Sequence, residues 1–89
     1  MLETKVEIVN KLGLHARAAA KFVTLASTFN CEVFLQKEQQ RVNGKSIMGV
    51  MMLAAAKGSE LLLATSGDDE QQATELLIEL INNRFGEDE

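Results

Sequence analysis

The chain has a single histidine, His15, and an arginine two positions after it, Arg17, in the stretch LGLHARAAAKF. An imidazole can act as a nucleophile near neutral pH, and a guanidinium is a planar fork of donors matched to phosphate oxygens. The small residues Ala16, Ala18, Ala19 and Ala20 surround the arginine, so the helix begun here leaves its first turn open to a partner. The amides of that turn have no partner within the helix, and with the helix dipole they favour an anion. A histidine at the mouth of such a helix, beside the amides of Ala16, Arg17 and Ala18 and the Arg17 guanidinium, has the parts of a transient phosphohistidine. A ring nitrogen attacks phosphorus, and the donors balance the phosphoryl charge. On residue chemistry alone, an ordinary surface residue or helix cap is the plainer reading of a lone histidine. Other reactions are poorly served: no Asp or Glu lies between Ile8 and Cys31 to orient the ring as a hydrolytic triad requires. A lone histidine without Cys, Asp or Glu beside it makes no metal site, so neither metal nor cofactor is expected.

Three further features bear on function. Cys31, the only cysteine, lies in NCEVFL and reads as a small buried hydrophobe. Ser46 precedes IMGVMML, where its hydroxyl can accept from a first-turn amide as a helix N-cap and could also take a phosphate. Ile47, Met48, Met51 and Met52 cannot all face inward from so short a helix, so some should form an adaptable exposed patch, with Ile47, Met48 and Met51 on one side. For any one of them, filling the core is the plainer expectation.

Charge is unevenly spread. The net charge is −4, yet the segments between Ile8 and Cys31 and between Gln39 and Ser59 contain no acid, while the last stretch is strongly acidic. If the two acid-free segments meet, they form a basic face on an acidic protein. Nucleic acid is not the expected partner: the chain has no Tyr or Trp, and Phe22, Phe29, Phe34 and Phe85 read as core residues. No apolar run approaches the roughly 20 residues of a membrane span, and the amino terminus lacks a basic start and apolar middle. The chain is therefore read as a soluble, cytoplasmic single domain over residues 1–89, with a frayed acidic tail at 86–89.

The elements that must position His15 follow from periodicity. Thr4, Val6 and Ile8 alternate with charged residues as in a half-buried strand, and the chain turns between Asn10 and Gly13. Ala19, Phe22, Val23 and Ala26 recur at helical spacing, which predicts an amphipathic helix from Ala16 to near Asn30. Cys31, Val33 and Leu35 alternate again, and Arg41 and Val42 form a short return strand. A short helix over 47–53, a buried strand around Leu61 and Leu63, and a helix carrying Ala73, Leu76, Leu77, Leu80 and Ile81 complete a βαββαβα order, the last helix stopping around 84–86. The fold class is α+β, with helices on one face of a four-stranded antiparallel sheet; a ferredoxin-like connection fits the same pattern.

GLHARAAAKFV resembles the active-site motif of the histidine-containing phosphocarrier family, HPr, of the bacterial phosphotransferase system, and GKSIMGVMMLAAAKGSEL resembles that family's regulatory-serine segment. The resemblance implies an open-faced sandwich of four antiparallel strands and three helices. It also implies that His15 accepts phosphate on Nδ1 from phosphorylated Enzyme I and donates it to the IIA domain of a sugar permease, and that HPr kinase/phosphorylase modifies Ser46. Ala20, Lys21, Lys45, Ile47, Met48 and Met51 would then form a docking face, with Lys45 and Arg17 rimming a patch beside His15, on a carrier expected to be monomeric. Two related readings stand beside it: a nitrogen-branch phosphocarrier, and a regulatory module that binds partners without transferring phosphate. One residue departs from the motif: Ala18 stands where the family usually has proline.

Overall fold

The computed structural model describes residues 1–89. Strand β1 (Leu2–Glu7) leads into helix α1 (Ala16–Ala26), the hairpin of β2 (Glu32–Lys37) and β3 (Gln40–Asn43), helix α2 (Ile47–Met52), strand β4 (Glu60–Ser66) and helix α3 (Glu70–Asn82). A single 3-10 turn, Arg84–Gly86, follows α3. The strands form one antiparallel sheet in the order β1-β4-β2-β3. The edges are β1 and β3. A ferredoxin-like connection would have put β1 inside the sheet, so this order matches the open-faced sandwich instead.

Side-chain alternation selects the covered face. Val6 pairs with Leu61, Leu35 with Leu63 and Val33 with Thr65, and all six are buried. The helices lie against that face. Helix α1 inserts Ala18, Ala19, Phe22, Val23 and Ala26, α2 inserts Val50, and α3 inserts Ala73, Thr74, Leu77 and Ile81. Phe22, Phe29 and Phe85 join this core, whereas Phe34 is only half-buried, on the other side of β2, with the Arg41 guanidinium 5.6 Å from its ring centre.

Two helical expectations are corrected. Helix α1 stops at Ala26 rather than near Asn30, because Thr28 and Phe29 donate to Leu25 and Ala26 in tighter turns. Asp69, at the start of α3, then takes over the chain, accepting from the amides of Asn30 at 2.8 Å and Cys31 at 2.9 Å. In α3, Leu76 stays exposed and Leu80 half-buried while Thr74 turns inward. The Thr74 hydroxyl and that of Thr65 on β4 lie 2.7 Å apart, and this buried pairing satisfies both polar groups while setting the rotation of the helix. Cys31 is buried as expected, and burial together with the nearby Asp69 carboxylate pushes its thiol pKa up.

Candidate functional site

His15 is the N-cap of α1, with extended backbone angles (φ −75°, ψ 178°) and a carbonyl that accepts from the Ala19 amide at 2.8 Å. A tight turn delivers it there. The Asn10 side-chain amide donates to the Gly13 carbonyl at 2.8 Å, and the Leu14 amide donates to the Ala55 carbonyl at 2.8 Å. Gly13 has φ +69°, a left-handed conformation that costs a residue with a β-carbon. The amides of Ala16, Arg17 and Ala18 have no acceptor within the chain, and the His15 ring makes no capping bond to them. Arg17 is exposed and unpaired, facing a shallow depression with Lys11, Lys21 and the tail residues Glu87 to Glu89.

The tail itself departs from the sequence reading. Instead of fraying, it folds back across the mouth of α1, where a Glu87 carboxylate oxygen meets His15 Nε2. The other Glu87 oxygen accepts from the Asn10 side-chain amide at 3.0 Å. The Glu87 and His15 side chains retain only 14% and 27% of their exposure. Three consecutive left-handed residues, Arg84 (φ 57°), Phe85 (φ 54°) and Gly86 (φ 78°), reverse the chain. Phe85 is fully buried and the Lys21 ammonium donates to its carbonyl at 2.7 Å, so core packing and an ionic hydrogen bond offset the backbone strain. The Asn10 amide, followed by His15 and Lys21, holds the Glu87 carboxyl below the usual carboxylate range, against a smaller opposing effect of burial.

His15 therefore does have an acidic partner, which the sequence reading missed. Glu87 lies 72 positions away in the chain, and no periodic or local pattern connects the two. The sequence marks Asn10 only as a turn residue, and its position at the start of that turn is the one signal for it.

Ser46 caps α2 as expected, its hydroxyl oxygen accepting from the Gly49 amide at 3.1 Å. The plainer expectation for the neighbouring apolar residues fails for all four. Ile47 and Met51 are exposed, and Met48 and Met52 are 72% and 65% exposed, because Val50 and Leu53 alone fill the space beneath α2. Lys45 is tied to main chain next to the start of α2. Its ammonium donates to the Phe29 carbonyl at 2.7 Å, past the far end of α1, whereas the chain after α2 reaches His15 through Ala55. Helix α2 thus runs back along α1, with Ser46 and Lys45 remote from His15 and Leu53 to Ala55 near it. Ala20 is half-buried and Lys21 exposed on α1, and the Lys21 ammonium is engaged by the tail.

Residues 2–83 match the family described as PTS HPr component phosphorylation site. The chain is 58% identical to the phosphocarrier protein HPr of Neisseria meningitidis serogroup A and 54% identical to that of Cupriavidus necator, in each case over the whole of both chains. A crystal structure of HPr from Thermoanaerobacter tengcongensis superposes with a TM-score of 0.96 at 46% identity, again covering both chains in full. With the sheet order and helix arrangement already described, these similarities establish that the chain belongs to the HPr family of phosphocarriers of the phosphotransferase system.

Proposed function

We propose that the chain is a cytoplasmic relay that takes a phosphoryl group from phosphorylated Enzyme I onto His15 Nδ1 and passes it to the IIA domain of a sugar permease. The observation that carries this reading is the mouth of α1, where a half-buried imidazole with an unbonded Nδ1 stands beside three amides that lack acceptors. A phosphoryl group on that ring would collect charge-assisted hydrogen bonds from Ala16, Arg17 and Ala18, and the unpaired Arg17 guanidinium is free to swing onto it. The transfer is in-line displacement at phosphorus, so the work left to the protein is positioning and charge balance. Ile47, Met48 and Met51, exposed beside α1, supply an apolar contact that successive partners can share, and Ala20 and Lys21 extend it. HPr kinase/phosphorylase would act on Ser46 at the far end of this face.

Incubation with phosphoenolpyruvate and Enzyme I, followed by intact mass, tests the reading against His15→Ala. One acid-labile phosphate on the parent and none on the variant is the expected result. A folded parent that stays unmodified while a known HPr is phosphorylated in the same tube would refute the reading in favour of a regulatory module.

A further inference from the structure

The Glu87 carboxylate has two oxygens and two polar partners, and the chemistry of those partners is unequal. Asn10 is fully buried, and its amide nitrogen already donates to both Gly13 and Glu87. Its carbonyl oxygen has no partner at all. A buried orphan acceptor is unfavourable, so the amide is held in this orientation by its two donated bonds, one of which fixes the carboxylate. The second carboxylate oxygen is left against His15 Nε2. An ionised carboxylate only accepts, so it can pair with this nitrogen only when the nitrogen carries a proton. The remaining ring nitrogen, Nδ1, makes no hydrogen bond.

We propose that Glu87, held by Asn10, is a positioning residue that keeps His15 as its Nε2–H tautomer, leaving the Nδ1 lone pair for phosphorus; this rests on the carrier reading above. In the accepting step the Nδ1 pair forms the new N–P bond. The bond from phosphorus to the donor protein's phosphohistidine nitrogen breaks, and its electron pair stays on the donor ring. No proton leaves His15. The ring gains a positive charge, and the Glu87 carboxylate faces that charge on the side opposite the phosphoryl group. In the donating step the N–P pair returns to Nδ1 and the ring is again neutral with Nε2–H in place. A carboxylate behind an imidazole fixes tautomer and orientation in hydrolytic triads and metal sites by the same logic.

The test pairs a readout of the ring with a readout of the reaction. Long-range 1H–15N spectra at alkaline pH report the His15 tautomer of the free protein, and single-turnover transfer from phosphorylated Enzyme I reports the rate. The expected parent spectrum is that of the Nε2–H form. Glu87→Ala should show both tautomers and transfer about tenfold more slowly, while Glu87→Gln, whose carbonyl can still accept from Nε2–H, should keep the tautomer and transfer at an intermediate rate. A parent ring protonated on Nδ1 would overturn the proposal. So would faster transfer by Glu87→Ala, which would make the tail a plug that phosphate must displace. If the parent takes up no phosphate although its ring is Nε2–H, the carrier reading fails and the transfer step with it, while the tautomer result still identifies what Glu87 holds.

Discussion

A β-carbon built on Gly13 would lie 2.4 Å from the Ala55 carbonyl oxygen, the same oxygen that accepts from the Leu14 amide at 2.8 Å. The turn before His15 and the chain after α2 therefore touch backbone to backbone, and that contact sets where the imidazole stands. Gly13→Ala adds a clash with main chain to a left-handed φ, so it is expected to destabilise the fold by roughly 2–4 kcal/mol. Phosphate uptake by the fraction that remains folded should also slow, because the N-cap shifts. Urea unfolding combined with a phosphorylation time course measures both effects. Parent-like values for both would show that the turn can open without the glycine.

Ser46 separates a structural role from a regulatory one. Its hydroxyl satisfies the Gly49 amide, so Ser46→Ala should cost about 1 kcal/mol by loss of the cap. Aspartate caps as well as serine, and a negative charge at a helix start is favoured, so Ser46→Asp should match the parent in thermal unfolding. Its uptake of phosphate from Enzyme I should nonetheless fall. Ser46 and His15 lie toward opposite ends of the paired α1 and α2, so the new charge acts on the docked partner and not on the ring. Ser46→Asp that is phosphorylated as fast as the parent would remove the regulatory account, and the kinase-modified protein gives the stronger form of the same test.

Asp69 ties the segment between α1 and β2 to the start of α3 through its carboxylate. The Asn30 amide is the main influence lowering its pKa, and the Cys31 thiol and amide add to it against a smaller opposing effect of desolvation. A carboxyl whose folded pKa lies below its unfolded value adds stability that is fully present above the ordinary carboxylate range and is lost as pH falls through the folded value. Asp69→Asn should therefore melt below the parent at neutral pH, with the gap closing in strong acid. Glu70 and Glu87 have lowered pKa values too, so the informative quantity is the difference between parent and variant, not the slope of either alone. A gap that stays constant with pH would mean that the carboxylate charge at Asp69 contributes nothing.

The elements were legible because burial repeats along them. Val33 and Leu35 alternate, and Phe22, Val23 and Ala26 fall on one helical face, so local pattern and final packing agree. The α3 stripe was legible only in part: hydrophobicity pointed to Leu76, but pairing of the Thr65 and Thr74 hydroxyls turned the helix elsewhere. At the site, His15 and its open helix turn could be read because capping is local. Glu87 could not. Its place depends on three successive left-handed residues and on a buried Phe85, and an acidic chain end by composition alone looks like a solvated tail. The exposed apolar patch on α2 stayed ambiguous for a related reason, since six helical residues with five apolar side chains do not say which of them the sheet has room for.

Ala18 offers the sharpest probe of the proposed phosphate cradle. Its amide is at the third position of α1 and bonds to nothing within the chain, and its side chain is fully buried. Proline there would remove no existing hydrogen bond and would preset a helical φ. Ala18→Pro is therefore expected to raise stability by about 0.4–1 kcal/mol, mainly by restricting the unfolded chain. The same change deletes one of three donors available to a phosphoryl group on His15. A hydrogen bond to a charged group contributes roughly 1.5–3 kcal/mol, so if this amide reaches the phosphate, the phosphohistidine should be shorter lived in the variant while transfer persists at an altered rate. Chemical denaturation, the decay of the phosphorylated form and single-turnover transfer measure the three quantities on one pair of proteins. Decay and transfer indistinguishable from the parent would confine the cradle to Ala16, Arg17 and the guanidinium, and would leave the missing proline a matter of stability alone.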